Sequence, residues 1–297
     1  MRGRLAGRSP VRDGLTLCLC LWFVFWNAYY LTNALLFVDA RIYRNAVNLW
    51  LAGGDPWSAQ SQGLHFAALP MSLPLLIPMG LIPEALFVPV WLAVCIASAV
   101  AIVRRLGLDP VWFLFPPLWQ GVLLGNPAIP AFALFVWGAE PLGLMVRPHL
   151  GFAAIAEGRW RQIALAALVG LVLLLLSPWQ MYLRESPAIM ARLGVEGMGG
   201  ANGPGWLYWP AVAATAGVAL FDWRAAGWLA STTVAAPIAF HGLVSVMPLR
   251  SRAIAAFAAV PLVGIPAAVA FVALGRVLWE RRRRAQASGP VAAPAPS

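Results

Sequence analysis

Lysine is absent from this chain; all 21 of its basic residues are arginine. It holds three cysteines, three histidines and eleven acidic residues, and only 11% of its 297 residues are charged. Each shortage excludes something. Cys18, Cys20 and Cys95 lie inside apolar stretches, which argues against a disulfide framework. His65, His149 and His241 show neither HxxxH nor HExxH spacing, so a histidine metal site has no support. There is no Walker loop, which argues against ATP hydrolysis. The charged share is under half that of an ordinary soluble domain. The apolar share is 61% and mean hydropathy is +0.76. A soluble globular enzyme, a disordered chain and a nucleic-acid-binding domain are thereby excluded. The net charge of +10 has a plainer reading than nucleic acid: arginines gather at membrane boundaries and set topology.

What is present is apolar sequence in long runs. Spans need about 20 residues each, and the pattern predicts an all-α, polytopic transmembrane helical bundle of about ten spans, eight to twelve. The first runs from Leu15 to about Phe37, too long for a signal-peptide core and without a small-residue cleavage site. Further apolar runs cover 67–83, 84–103, 108–125, 127–138, 139–157, 162–178, 205–222, 226–247 and 254–279. Residues 1–14, with Arg2, Arg4, Arg8 and Arg12, form a cytoplasmic arm. Residues 15–280 form the membrane domain. Residues 281–297 form a tail, basic at first and then disordered in its Ala/Pro/Ser-rich part. Two loops, 38–66 and 179–204, face outside. This topology puts Arg159, Arg161, Arg224 and Arg281–Arg284 inside, but Arg104, Arg105, Arg250 and Arg252 outside, against the positive-inside rule. A Pro-broken run that does not cross resolves the conflict. The run at 127–138 is short enough to be half of a broken helix.

The external loops carry structure of their own. Arg41–Ala52 has a helical period, with Ile42, Ala46, Leu49 and Trp50 on one face and Arg41, Arg44, Asn45 and Asn48 on the other. This is an amphipathic helix lying on the membrane surface. The second loop ends in a glycine-rich stretch at 197–205, flexible enough to order over a substrate.

Few polar residues are left to carry chemistry. Asp39 follows the first span, with an apolar floor on one side and water on the other. Partial desolvation would make it a better base; equally, it suits the N-cap of the helix beginning at Arg41. Arg41 and Arg44 are placed to hold a phosphate. Arg147, in Val146-Arg147-Pro148-His149, sits in an apolar run and needs an anionic partner or a wet cavity. That partner is either a lipid phosphate or a structural ion pair with Glu140 or Glu157. His241 reads as a packed, hydrogen-bonded residue or as a group that orients substrate. Trp50, Trp57, Trp206 and Trp209 are candidates to line a sugar or lipid site.

Together these residues resemble a known family. The order is a first span, Asp39, Tyr43, Ala-Gly-Gly-Asp-Pro-Trp at 52–57, a Pro-rich segment, Gly125-Asn126, Arg147-Pro148, then Pro237 with His241. This is similar to glycosyltransferase family 87, of GT-C fold, which includes polyprenyl-phosphomannose-dependent mannosyltransferases. Trp57 stands where that pattern has tyrosine, Leu69-Pro70-Met71 where it has Tyr-Pro-Pro, Asn126 where it has the glutamine of Gly-Gln, and Arg147 where it has the lysine of Lys-Pro. The resemblance implies transfer of a sugar, mannose in the simplest case, from a polyprenyl-phosphate donor to a lipid or glycan acceptor at the outer face of a cell membrane. Asp39 would be the general base. Arg147, Arg41 and Arg44 would bind the donor phosphate, and Tyr43, Asp55, Trp57, Asn126, His149 and His241 would contact substrate. No cofactor or metal is called for, because the leaving group is already charged and arginine can meet it. Membrane lipids are the expected surroundings, nucleic acid is not an expected partner, and arginine without lysine fits a GC-rich bacterial source. Two other readings stay open: a transporter or flippase for a lipid or small anion centred on Arg147, and a non-catalytic membrane scaffold.

Overall fold

The structure is a computed structural model, described for residues 10–33, 35–195, 205–234, 240–260 and 265–287. Among these residues the chain is all-α apart from one small hairpin, β1 (Gln60–Ser61) against β2 (Leu64–His65). The helices are α1 (Pro10–Thr32), α2 (Val38–Leu51), α3 (Leu73–Leu81), α4 (Glu84–Arg105), α5 (Pro116–Leu124), α6 (Ala128–Val136), α7 (Glu140–Val146), α8 (Gly151–Ala156), α9 (Trp160–Leu176), α10 (Trp179–Val195), α11 (Gly205–Ala219), α12 (Trp223–Thr233), α13 (Arg252–Ala258) and α14 (Ile265–Ala287).

Ten full spans are not what these sequences build. Among the described residues only α1 and α4 are long and apolar enough to cross a membrane, or three spans if α9 and α10 count as one bent by 95°. The cause is local. Pro116-Pro117 begins α5 and Gly125, in the left-handed region at φ 65°, ends it after nine residues. The next nine-residue helix, α6, turns back. A nine-residue helix is only about 14 Å long, under half of a bilayer core. The run at 139–157 is likewise broken by Pro148 into α7, a 3-10 turn (Pro148–Leu150) and α8. The run at 226–247 divides into α12 and a 3-10 segment (Phe240–Leu249). Apolar length was read correctly; the turns inside it were not.

These short pieces form helical hairpins whose bases lie at one end of the bundle. Arg105 Nε donates to the Val136 carbonyl at 3.0 Å, fixing the end of α6 beside the end of α4. Arg159 bonds both Glu140 and Glu157, closing the base of the α7–α8 hairpin. Asp109 accepts from Arg252 and lies 3.8 Å from Arg12, which brings the start of α1 to the same end. One cleft there is lined by Arg105, Arg159, Arg224 and Arg250 together. The predicted split of these arginines between two sides is thereby corrected: the hairpins enter and leave at one end.

The opposite end carries α2 and α10. Arg44 pairs with Glu84 at the start of α4 and donates to the Ile82 carbonyl at 2.8 Å. The expected flexible loop at 179–204 is helical to Val195, and Arg192 donates to the Trp57 carbonyl at 2.9 Å. Its glycine-rich stretch at 197–204 lies outside the described residues. Arg281–Arg284, expected in a tail, continue α14, and residues 10–14 of the expected arm are already α1. The tail's residues 288–297, the first nine residues and Pro237 lie outside the described residues, and α14 runs on to Ala287. The outer faces of α1 and α9 remain apolar and exposed, with Leu21, Val24, Leu168 and Leu175 each more than half exposed.

Candidate functional site

The site forms where α2 meets the tips of the hairpins. The surface helix starts earlier than its periodicity predicted, at Val38, and Asp39, Ile42 and Ala46 fall on its buried face. Spacings of three and seven residues put them on one stripe. Asp39 is therefore turned into the bundle and only 7% exposed. The N-cap position belongs to Phe37, with no side-chain cap bond, so the capping role considered for Asp39 is not the one it plays. Its carboxylate instead accepts a 2.7 Å hydrogen bond from Asn126 Nδ2.

Asn126 is held for that task. Its Oδ1 accepts from the Ala128 backbone N–H at 2.8 Å, which leaves the amide NH2 to face Asp39. It sits at the α5–α6 tip, beside Gly125, whose carbonyl accepts from Trp91 Nε1 at 2.7 Å. A Cβ on Gly125 would come within 2.7 Å of Ala40 Cβ and 3.0 Å of the Phe37 ring. Glycine thus permits both the left-handed turn and the close approach of α2. Phe37, itself at φ 58°, donates its N–H to the Leu123 carbonyl at 2.8 Å and closes the joint.

The second component is Arg147, at the α7–α8 tip and 3% exposed. Its Nε donates to His149 Nε2 at 3.0 Å, and one terminal nitrogen donates to the Gly242 carbonyl at 3.0 Å. The other terminal nitrogen is buried without a partner, as is Nδ1 of His241. Neither Glu140 nor Glu157 supplies the counter-ion foreseen for Arg147; both are bound to Arg159. His149 accepts at Nε2 and is neutral.

Tyr43 joins the two components. It lies one turn after Asp39 on α2, and its ring meets Phe66 edge-on at 5.3 Å. Burial pushes its phenol above the ordinary tyrosine value; the Asp39 charge adds to that rise and the Arg147 charge opposes it. The hydroxyl is thus in Coulombic reach of both. Burial likewise raises the Asp39 carboxyl from 3.8 to about 6, with the Asn126 hydrogen bond pulling back. An acid so placed is mostly ionised at neutral pH and close to the range where proton acceptance is efficient.

Asp39, Tyr43, Asn126, Arg147, His149 and His241 are therefore brought together from four separated segments. The remaining candidates are not. Arg41 is exposed. Arg44 is committed to Glu84, to the Ile82 carbonyl and to the face of Phe87, 4.6 Å away. Asp55 caps a 3-10 turn (Pro56–Ser58) by accepting from the Trp57 N–H at 2.9 Å. Trp57 is fully buried and donates to the Ala68 carbonyl at 3.1 Å. Trp209 is 70% exposed. Two residues were missed. Tyr30 on α1 lies in Coulombic reach of Asp39, and Gln120 donates to its hydroxyl while its own Oε1 is buried without a partner. A glutamine inside an apolar run is the signal that marks the latter. Among the described residues no group of three or more His, Cys, Asp or Glu converges as a metal site would.

Compared with protein-family models, curated proteins and solved structures, the chain matches none.

Proposed function

We propose that the chain is a multi-pass membrane glycosyltransferase of GT-C-like design, working on a polyprenyl-phosphate sugar. The reading rests on one arrangement: a buried carboxylate, Asp39, and a buried arginine without a carboxylate partner, Arg147, both act electrostatically on the same tyrosine, Tyr43. A buried guanidinium with an unpartnered nitrogen calls for an anion, and a lipid phosphate is a suitable one. In this scheme an acceptor hydroxyl gives its proton to Asp39 as its oxygen attacks the anomeric carbon. The bond from that carbon to the phosphate oxygen breaks, and the electron pair leaves with polyprenyl phosphate, whose charge meets Arg147. Asn126 orients the carboxylate, and His149 holds the guanidinium.

Mannose and a lipid or glycan acceptor follow from the family resemblance, and a bacterial cell membrane from the use of arginine without lysine. The arginine-lined end is assigned to the cytoplasm by the positive-inside rule, and the α2 end to the outer face. The half-length hairpins then hang within the bilayer as re-entrant elements, buried in protein as irregular backbone at that depth must be.

The test is transfer from a radiolabelled polyprenyl-phosphate mannose by the purified chain in liposomes. Asp39→Asn lowers turnover at least about 100-fold if Asp39 is the base; undiminished transfer removes it. One observation favours a second reading. Short helices that end at a buried arginine also suit an anion transporter. Flux of a phosphate-bearing solute across the same liposomes, with no glycan product, selects that reading.

A further inference from the structure

We infer that the cleft at the arginine end is a second anion site, built for a phosphate-bearing headgroup. It stands apart from the Asp39–Arg147 site and does not depend on the reading given to that site. The cleft encloses about 480 Å³, in the range of small-molecule pockets. Arg105, Arg159, Arg224, Arg250 and Arg276 line it, each from a different helix or helix terminus. Three acids share the walls, and each already has a partner. Glu157 binds Arg159 and accepts from Trp228 Nε1 at 2.8 Å. Glu280 accepts from Arg276 at 2.8 Å. Asp222 accepts from the Ala225 N–H at 2.9 Å.

Five arginines against three acids leave two positive charges in excess; Arg159 and Arg276 are paired with acids and Arg105 donates to the Val136 carbonyl, whereas the side chains of Arg224 and Arg250 make no hydrogen bond or ion pair among the described residues. Arg250 also sits at φ 52°, in the left-handed region that a bulky residue rarely adopts. Strain of this kind gathers at ligand clamps. Guanidinium groups bind phosphate through two parallel hydrogen bonds, which favours phosphate over a simple halide. The lining also includes the buried Val136, Val218 and Ile254, while Arg105, Arg224, Arg250 and Arg276 are exposed. Exposed guanidinium groups beside buried apolar side chains match an amphiphile with its headgroup at the surface.

The test uses the full chain in phosphatidylcholine nanodiscs. One arm titrates pyrophosphate by calorimetry. The other measures the immobilised fraction of spin-labelled phosphatidylglycerol. The variant is Arg224→Gln with Arg250→Gln. The control is Arg104→Gln with Arg161→Gln, which removes the same charge at exposed positions outside this cleft. Binding in either arm that weakens about tenfold in the variant and stays within about twofold in the control supports the site. The arm that responds identifies the source, free phosphate or lipid headgroup. Equal weakening in variant and control, or no binding in both arms, overturns it. Arg224 and Arg250 are exposed, so either single variant keeps the test open if the pair folds poorly.

Discussion

Arg147 and Arg159 lie on one folded-back segment, yet the protein treats them in opposite ways. Arg159, at the base of the α7–α8 hairpin, is met by two carboxylates, Glu140 and Glu157, and lies over the Phe135 ring at 5.4 Å. Arg147, at the tip and more deeply buried, is met by a histidine and a carbonyl and keeps one nitrogen unpartnered. A guanidinium that only braces a fold is neutralised where it stands. One left without an acid in a buried place is a standing cost, since desolvation is not offset by a protein charge. The difference separates a clasp from a receptor for something the chain does not itself contain.

The sharpest way to break that contrast is to remove the clasp. Arg159→Gln leaves Glu140, 3% exposed, without its cation. Loss of one partner of a buried pair costs about 3–5 kcal/mol; partial exposure of Arg159 sets the expectation at the low end, about 3 kcal/mol. Thermal unfolding in detergent measures it, and activity per folded molecule stays level. The receptor answers differently. Arg147→Gln removes an uncompensated charge, so the unfolding midpoint holds or rises, while transfer falls about 100-fold, as when a transition-state donor is lost. If both variants lose stability and keep activity, Arg147 is a second clasp and the distinction is gone.

Next in size is the joint that brings α2 to the hairpin tip. Gly125→Ala combines a left-handed φ with contact against Ala40 and Phe37. The backbone term alone is about 1–2 kcal/mol, and the loss should show in stability and activity together. Retained stability with lost activity would instead mean that Asp39 has been moved without loosening the packing.

These expectations also show what could be read from the residues. Asp39, Asn126, Arg147 and His241 stood out because polar groups in apolar runs must have a reason, and the structure gathers them. The amphipathic period of α2 was visible, but the helix starts at Val38 rather than at Arg41, and its buried stripe takes in Asp39 as well as Ile42 and Ala46. Span count was misread because hydropathy measures how apolar a run is, not whether it turns. Gly125 and Pro148 reverse the chain at half-depth without changing its composition. The apparent breach of the charge rule at Arg105 and Arg250 was the best clue to those reversals. Arg44 was misjudged because its partner, Glu84, is forty residues away and no local pattern pairs them.

A smaller effect comes from pH. Burial holds the Asp39 carboxyl at about 6 when folded, against an ordinary 3.8. Between these values the folded state binds the extra proton, so the contribution of Asp39 to stability is highest at the acid side and is lost as pH rises through about 6. Activity runs the other way, because only the ionised form accepts a proton. Transfer at pH 5 should be about tenfold below its plateau near pH 7, while the stability that Asp39 contributes, measured as the difference between the native chain and Asp39→Asn, is larger at pH 5 than at pH 7. What remains in Asp39→Asn runs the opposite way, because the buried His149 and His241 resist protonation and weaken the fold as pH falls below the ordinary histidine value. A flat activity profile would detach this carboxylate from proton transfer.

The smallest expected effect belongs to Arg41, and it decides where phosphate is read. Arg41 and Arg147 are both candidates for the donor phosphate, one exposed on α2 and one buried at the α7–α8 tip. An exposed guanidinium is already well hydrated, and its field is screened within about 8–10 Å at ordinary salt. Removing it from a surface without specific contacts changes stability by no more than about 0.5 kcal/mol. Arg41→Gln should therefore leave unfolding unchanged and alter transfer by less than about threefold, with any residual effect fading as salt is raised. If it instead matches the loss from Arg147→Gln, the donor phosphate rests on the outer face of α2. The unpartnered nitrogen of Arg147 would then need a different occupant, one that reaches it from within the bundle.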